Sequence, residues 1–242
     1  MLSKLFVTGL KLTRGLPEDS YLNHLPVLKA LQEMEELPIR KPVTFLIGEN
    51  GAGKSTLIEA IAVNMGFNPE GGTVNFNFST TDTHSELYRY LTVVKGVNRP
   101  WDGFFLRAES FYNAAAYIDR DPRTLAGFGG VPLHGQSHGE SFLALVEHRF
   151  KGHGLYLLDE PEAALSPNRL LTLLCHIQRL TEEKSQLIIS THSPILMAFP
   201  GAEILQLGED GIRPVNYQDT EHYQVTKRFL ENPERMLKYL LG

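Results

Sequence analysis

The sequence predicts an α/β fold built on a mainly parallel β-sheet. Three runs of consecutive apolar residues, at 43–47, 154–158 and 187–190, have the length and composition of strands buried on both faces. Helical patterns at 56–65 and 168–183 separate them, and strands that alternate with helices favour parallel βαβ units. We expect a single domain over residues 1–242, with a small helical lobe inserted at roughly 80–150.

The remaining segments are assigned from apolar periodicity and from turn residues. Further strands are predicted at 5–12, 73–78, 104–107 and 203–207. Further helices are predicted at 25–36, 109–118, 141–149 and 220–240. Residues 87–95 fit a helix and a strand equally, and residues 14–24 and 121–141 are expected to form turns and loops.

The composition is that of an ordinary globular protein, with 42% hydrophobic and 21% charged residues among 242. A net charge of −5 excludes a global basic field that would attract nucleic acid or an anionic membrane. No run of about 18 apolar residues is present, and the apolar stretch near Met1 is too interrupted for a signal peptide, so we expect a cytoplasmic protein. The single cysteine, Cys175, can form no intrachain disulfide and is expected to be a small buried residue.

Residues 48–56, GENGAGKST, match G-x-x-x-x-G-K-[ST] in full and lie between a predicted strand and a predicted helix. This context is that of a P-loop, whose glycines let backbone N–H groups turn toward phosphate oxygens at a helix N-terminus. Lys54 is expected to reach the β and γ phosphates of a nucleotide, and the Ser55 hydroxyl to bind Mg²⁺. The predicted nucleotide-binding residues of the loop are Asn50, Gly51, Ala52, Gly53, Lys54, Ser55 and Thr56.

Two carboxylates, Asp159 and Glu160, directly follow the apolar strand 154–158 in an arrangement of Walker B type. Asp159 lies where it can bind Mg²⁺, which prefers few carboxylates together with water and phosphate oxygens. Glu160 lies where it can orient or deprotonate an attacking water. His192 follows the apolar strand 187–190, one helix and one strand beyond Glu160. This spacing predicts that the two strands are neighbours, so that His192 can bond the γ-phosphate and hold Glu160 and the water in place.

Residues 136–141, QSHGES, precede a predicted helix, and Ser137 and Gly139 there form a candidate anion-binding nest. The ordered set GENGAGKST, QSHGES, LYLLDEP and STHSP resembles an ABC-type ATPase, a P-loop NTPase. The strings LDEPEAALSP and STHSP resemble its stand-alone branch, near RecF, SMC and the OLD-family nucleases. The whole chain, with FLRAESFYN at 105–113, is similar to small bacterial ABC-like ATPases of the kind called "AAA family".

That resemblance implies ATP and Mg²⁺ as ligands and an ATP-dependent homodimer with composite sites. Nucleotide held by Lys54, Ser55 and Asp159 of one copy would be capped by Ser137 and Gly139 of the other. The D-loop at 164–167 would cross the same interface. The resemblance also implies coupling to DNA repair, to defence or to a separate effector protein.

The sequence departs from the family pattern at two points. The signature carries Glu140 where transporters usually carry glutamine, as in the DNA-repair branch. No glutamine stands between Thr56 and Gln136, so the usual Q-loop residue is missing. Glu109 is the nearest polar substitute, although an acid favoured at a helix N-terminus explains it equally well. Tyr21 is a candidate for stacking on adenine, or it is an ordinary core or surface tyrosine.

Three classes of function remain open from the sequence. The first is an ATPase whose ATP-bound form dimerises, and the second is a slow nucleotide switch or clamp that binds DNA or an effector protein. The third is the ATP-binding subunit of a transporter, which the missing Q-loop glutamine and the atypical signature disfavour. His134 and His138 lack a third ligand for a transition metal. The basic residues Arg120, Arg123 and Lys151 are too sparse to predict a nucleic-acid patch.

Overall fold

The computed structural model of the protein describes residues 4–73, 85–108, 111, 115, 118, 119, 125 and 130–242. Its strands are β1 Val7–Leu12, β2 Leu37–Pro38, β3 Val43–Ile47, β4 Leu91–Lys95, β5 Asp102–Arg107, β6 Gly154–Asp159, β7 Gln186–Ser190, β8 Glu203–Gly208 and β9 Gly211–Pro214. Its main helices, numbered over these residues, are α1 Pro26–Glu33, α2 Lys54–Asn64, α3 His138–Arg149, α4 Pro167–Glu182, α5 Pro194–Met197, α6 Glu221–Glu231 and α7 Pro233–Leu241.

A six-stranded sheet in the order β5-β6-β7-β3-β8-β9 forms the centre of the fold. All neighbouring strands in it run parallel except β9, which pairs antiparallel with β8. The predicted α/β fold with a mainly parallel sheet is therefore confirmed. The predicted neighbours β6 and β7 do pair, with Asp159 in register with Ser190, so both strands end at the same edge.

The central sheet is covered on both faces, and this explains why its strands are apolar throughout. On β3, Val43, Phe45 and Ile47 belong to the apolar core that also includes residues of α3 and α4. Leu46 faces the opposite way, into a second core with residues of α1, α2 and β1. Because both cores meet at β3, this strand and the loop that follows it are held from two sides.

A second, antiparallel sheet in the order β2-β1-β4 lies beyond α2. Gln186, on β7 of the central sheet, links the two sheets through its buried amide, which is 1% exposed. Its Oε1 accepts hydrogen bonds from the backbone N–H groups of Phe6 (2.8 Å) and Val7 (2.9 Å), and its Nε2 donates to Val7 O at 2.8 Å. The amide thus continues the backbone pairing of β1.

The structure corrects the prediction of one long C-terminal helix over 220–240. The chain forms α6 and α7, separated at Asn232. Pro233 lacks the N–H that an uninterrupted helix would need there, and it opens α7, where the Asn232 side chain accepts a hydrogen bond from Arg235 N. Three short elements were also missed, β2, the hairpin strand β9 and α5, because none of them has a run long enough to show periodicity.

Cys175 was predicted to be buried, and it is exposed. The inward side of α4 carries Leu170, Leu173 and Ile177, and Cys175 lies halfway between the last two, on the opposite side of the helix. The apolar neighbours in the sequence therefore do not surround it in space. The ambiguous segment at 87–95 becomes a short 3₁₀ turn followed by β4.

Several predictions fall largely outside the described residues. These are the strand at 73–78 beyond Thr73, most of the helix at 109–118, and two parts of the proposed lobe, 80–84 and most of 109–129. Within that helix, Phe111, Ala115 and Ile118 are helical and buried. The predicted loop at 121–141 is wrong in part, since Leu125 is helical and α3 already begins at His138. Among the described residues, no helix combines the length and the apolar character needed to cross a membrane.

Candidate nucleotide site

The loop between β3 and α2 requires glycine at both of its ends. Gly53, the residue that caps α2, has φ 94°, and a Cβ there would lie 2.4 Å from Val27 Cγ1. A Cβ on Gly48, at φ 148°, would lie 2.3 Å from Leu207 O. The backbone therefore passes too close to α1 and β8 for any side chain at these positions. The unpaired N–H groups at the start of α2 are left facing the loop, as phosphate binding requires.

Lys54 is folded back over this loop. Its Nζ donates hydrogen bonds to the carbonyl oxygens of Gly48 (2.9 Å) and Glu49 (3.0 Å), and the residue is 4% exposed. Burial lowers the pKa of the Lys54 ammonium, while the nearby carboxylates of Glu160, Asp159 and Glu162 act in the opposite direction. A cation held by two neutral carbonyls in a buried position is well placed to receive phosphate oxygens.

Asp159 lies at the centre of a polar cluster at the end of β6. Its Oδ1 accepts a hydrogen bond from Ser55 Oγ at 3.0 Å and a short one from Ser190 Oγ. Its Oδ2 lies 3.3 Å from Arg107 Nε, and another guanidinium nitrogen of Arg107 lies 2.8 Å from Glu59 Oε2. Because a hydroxyl and a carboxylate oxygen meet here, the donor set is one that Mg²⁺ accepts when phosphate and water complete it.

Glu160 adopts the left-handed backbone conformation, with φ 48° and ψ 53°. For a residue other than glycine this conformation costs about 1–3 kcal/mol and persists only where the surroundings enforce it. Its N–H donates to Ser190 O at 3.1 Å and to Ser190 Oγ at 3.2 Å, and Pro161 follows it. The strained turn leaves the Glu160 carboxylate partly exposed at the edge of the sheet, near His192.

His192 is held by groups on the turn that follows β6 and on α6. Its Nε2 lies 3.7 Å from Glu160 Oε1, and its Nδ1 lies 3.0 Å from Nε2 of His222 on α6. Its backbone N–H donates to the buried Glu162 carboxylate. Burial raises the pKa of Glu162 and lowers the pKa of both histidines, and the nearby Lys54 cation adds to the lowering for each.

Glu160, His192 and His222 border one open cavity of about 1190 Å³, whereas Lys54, Ser55 and Asp159 are not among the residues that line it. Its other lining residues come mainly from the P-loop between Gly48 and Ala52, from the end of β8 with the turn that follows it, and from α6. The predicted P-loop residues Asn50, Gly51 and Ala52 therefore line the same space as both predicted catalytic side chains. Ser55 and Thr56 are half-buried in the first turn of α2.

Ser137 and Gly139 do not line this cavity. Ser137 caps α3, and its backbone N–H donates to Glu140 Oε2 at 3.0 Å. The pKa of the exposed Glu140 carboxyl is lowered by hydrogen bonds from the Ser137 side chain and backbone. The Arg169 cation lowers it further. A Cβ on Gly139 would lie 2.5 Å from Arg169 and 3.0 Å from Ala164 O, so the signature and the D-loop are packed together.

The structure places the remaining candidates as follows. Tyr21 is 58% exposed, donates to Ser85 Oγ at 3.0 Å and is not among the residues that line the cavity, so its adenine contact stays a prediction. Glu109 lies outside the described residues. In the described part of the chain, no group of three or more His, Cys, Asp or Glu side chains is arranged to hold a metal ion.

Four residues of the site were not identified from the sequence as functional candidates. Arg107 lies within FLRAESFYN and Glu162 within LDEPEAALSP, but neither string indicates a partner for them. Ser190 ends an apolar strand, and its position beside Asp159 follows only from the strand register. His222 lies in the last predicted helix, where no pattern connects it with His192.

Comparison with known proteins agrees with this geometry. Residues 129–198 match a family model described as "AAA domain, putative AbiEii toxin, Type IV TA system", and residues 28–98 match one described as "AAA domain". The thiamine import ATP-binding protein ThiQ of Haemophilus influenzae (strain 86-028NP) is 30% identical over 174 residues, which cover 62% of this chain and 75% of that protein.

A second relative, an uncharacterized ABC transporter ATP-binding protein of Haemophilus influenzae (strain Rd), is 26% identical over 184 residues, covering 68% of this chain and 69% of its own. The structure of cbiO1 from Clostridium perfringens, part of the ABC transporter complex cbiONQ, has 14% identity and a TM-score of 0.50, covering 98% of this chain and 99% of that one. That likeness concerns the fold alone. Since the identity to ThiQ extends over three quarters of that protein, this chain belongs to the family of ABC-type ATPases.

Proposed function

We propose that this protein binds ATP with Mg²⁺ and hydrolyses it, and that ATP brings two copies together. The observation that carries the proposal is the shared cavity, in which the P-loop faces the Glu160 carboxylate and the His192 imidazole. All of these groups stand at the carboxyl ends of parallel strands or in the loop that follows one, the edge at which α/β sheets bind ligands.

The P-loop would hold the phosphates. N–H groups at the start of α2 and the Lys54 ammonium supply the positive field, and the carbonyls that now bind Lys54 would be replaced by phosphate oxygens. Ser55 and Asp159, joined at 3.0 Å, would hold Mg²⁺. When bound, the ion neutralises charge on the phosphate oxygens.

Glu160 would act on the attacking water. Its carboxylate stands free of the Asp159 cluster, because the left-handed turn aims it into the cavity. There it can orient the water and accept its proton. His192, at 3.7 Å, would place a ring N–H between the carboxylate and the γ-phosphate.

The position of the signature supports the dimer. Ser137 is exposed and Gly139 lies against Arg169, and neither lines the cavity of its own chain. A phosphate that they contact would therefore be bound by another copy. A two-fold arrangement makes both sites equivalent.

The proposal is tested by ATP binding and turnover in three variants. Lys54→Ala should lose tight ATP binding, whereas Glu160→Gln should bind ATP with parental affinity and lose turnover by about 10²-fold or more. Glu183→Gln changes an exposed carboxylate that precedes the start of β7, whereas His192 follows the end of that strand, and this variant should behave like the parent. Removal of Mg²⁺ with a chelator should stop hydrolysis by the parent. Equal turnover by Glu160→Gln and the parent would refute the proposal.

A second candidate is the ATP-binding subunit of a transporter. The relatives favour it, because they are named as the ATP-binding proteins of thiamine import and of an uncharacterized ABC transporter. Co-purification with a membrane protein from native cells, using Glu160→Gln and ATP, would support this role. Recovery of DNA or of a separate effector protein in the same experiment would instead support membership of the stand-alone branch. Both that membership and a DNA partner remain predictions.

A further inference from the structure

We infer that His222 is a positioning residue for the ATPase reaction, which it would assist by fixing the tautomer of His192. The inference rests on the proposed function. It concerns which of the two ring nitrogens of His192 carries the proton, and the residue that decides this lies on α6.

The two ring nitrogens of His192 face different partners. Nε2 points toward Glu160 Oε1 at 3.7 Å, inside the cavity. Nδ1 lies 3.0 Å from His222 Nε2, a hydrogen-bonding distance, with the ring centroids 5.2 Å apart. The contact joins the loop after β7 to α6.

A neutral imidazole has one donor and one acceptor nitrogen, so each nitrogen's role depends on its partner. Burial disfavours the charged form of both rings. Carboxylate and phosphate oxygens only accept, so Nε2 of His192 must be the donor if it is to serve either. Its Nδ1 is then the acceptor, and His222 Nε2 must donate to it.

The opposite assignment is unfavourable on both sides. If His192 donated from Nδ1, its Nε2 lone pair would face the Glu160 carboxylate. His222 would then carry its proton on Nδ1, which is buried and has no hydrogen-bond partner among the described residues. Nε2 of His192 is likewise buried without a hydrogen-bond partner, but an N–H there faces the Glu160 carboxylate at 3.7 Å, whereas an N–H on His222 Nδ1 faces no acceptor among the described residues. This difference in electrostatic surroundings favours the Nε2–H tautomer of His192.

The start of α6 is well anchored, and this holds His222 in place. Thr220 is fully buried, and its Oγ1 donates to Tyr217 O at 2.8 Å and accepts from Tyr223 N at 3.3 Å. His222 lies in the first turn, between these bonds. The rest of α6 buries no side chain completely, so the contact depends on this one anchored turn.

The experiment compares three variants at saturating and limiting ATP. His222→Leu removes the donor, His222→Gln returns an N–H donor at similar reach, and Gln224→Leu changes an exposed residue of the same helix that does not line the cavity. His222→Leu should lower kcat about 10-fold, the effect of removing an outer partner of a functional histidine, with an unchanged KM for ATP. His222→Gln should recover most of kcat, and Gln224→Leu should match the parent.

A second readout needs no hydrolysis. Two-bond ¹⁵N–¹H spectra of the nucleotide-free, histidine-labelled protein, assigned with His192→Gln, report the tautomer directly. The parent and His222→Gln should show His192 protonated on Nε2, and His222→Leu should show a mixture. Circular dichroism establishes that all variants are folded. A parent His192 protonated on Nδ1, or equal kcat in parent and His222→Leu, would overturn the inference. A parent without turnover but with the expected tautomer would refute the ATPase proposal instead.

Discussion

Arg107, the last residue of β5, forms an ion pair with Asp159, the last residue of the neighbouring strand β6, with 3.3 Å between Nε and Oδ2. The same guanidinium reaches Glu59 on the P-loop helix at 2.8 Å. One cation therefore ties the helix that follows the P-loop to the strand that carries the Walker B carboxylate. It also leaves Oδ1 of Asp159 for the two serine hydroxyls.

Arg107→Ala should destabilise the protein. The two carboxylates are 4% and 7% exposed, and loss of their cation leaves both buried without it. The expected loss is about 3 kcal/mol in the free energy of unfolding, measured in urea. Arg89→Ala breaks an exposed pair with Glu86 and should cost less than about 1 kcal/mol. Similar losses in both variants would show that the cluster is not a structural link.

Gln186→Leu should also destabilise the protein, without touching the site. The leucine keeps the volume but leaves the backbone N–H groups of Phe6 and Val7 and the carbonyl of Val7 without their partner in a buried position. We expect a loss of about 3 kcal/mol from these unsatisfied groups. Gln178→Leu, which removes an exposed bond to Glu182, is the matched control and should change stability by less than about 0.5 kcal/mol. A Gln186→Leu variant as stable as the parent would contradict the assigned link.

Stability of the nucleotide-free protein should fall as the pH is lowered through the ordinary histidine pKa. The pKa values of His192 and His222 are lower in the folded protein than in the unfolded chain, so the unfolded chain binds more protons below about pH 6.5. Their contribution is complete above that pH and is lost below it. The double variant His192→Gln, His222→Gln should show a shallower decrease between pH 7.5 and 5.5 in urea titrations.

Other groups contribute to the same profile, and the comparison of variants separates them. Burial also lowers the pKa of His176, and the raised pKa of Glu162 acts with the opposite sign, since the folded protein then binds the extra proton. Both are common to the parent and the double variant. His24→Gln, at an exposed histidine, serves as the control for removing a histidine. An unchanged slope in the double variant would contradict the prediction.

His192→Ala should lower ATP turnover by about 10²-fold, the low end for a positioned polar group. The side chain touches Glu160 and His222 but contributes to neither apolar core, so the unfolding midpoint should change little. Steady-state kinetics and circular dichroism check the two halves of this expectation. An unfolded variant would assign His192 a structural role.

Glu160→Gln should be monomeric without nucleotide and dimeric with ATP, as measured by light scattering. Adding Ser137→Arg should block the dimer by placing a bulky cation at the exposed start of α3, with ATP binding intact. Asn98→Arg, at an exposed position on another face, should leave the dimer unchanged. If the Ser137→Arg protein dimerises like its parent, the composite site is wrong and a single-chain switch becomes the better account.

The fold class, the P-loop and the Walker B carboxylates could be predicted from the order of the residues alone. These features are local, since each depends on residues within one strand–loop–helix or at one strand end. The pairing of β6 with β7 also followed, because a single helix between two parallel strands limits how far apart they can lie. The same reasoning brought His192 to Glu160.

The side chains that complete the site became evident from the packed fold. Arg107 contacts Asp159 because the register of β5 and β6 places them side by side. His222 contacts His192 because α6 packs near the loop after β7, although the two residues are far apart in the sequence. Cys175 illustrates the same limit, since apolar neighbours in sequence alternate between buried and exposed faces once the helix packs. Contacts between residues distant in the chain depend on how whole elements pack, and no local pattern records that packing.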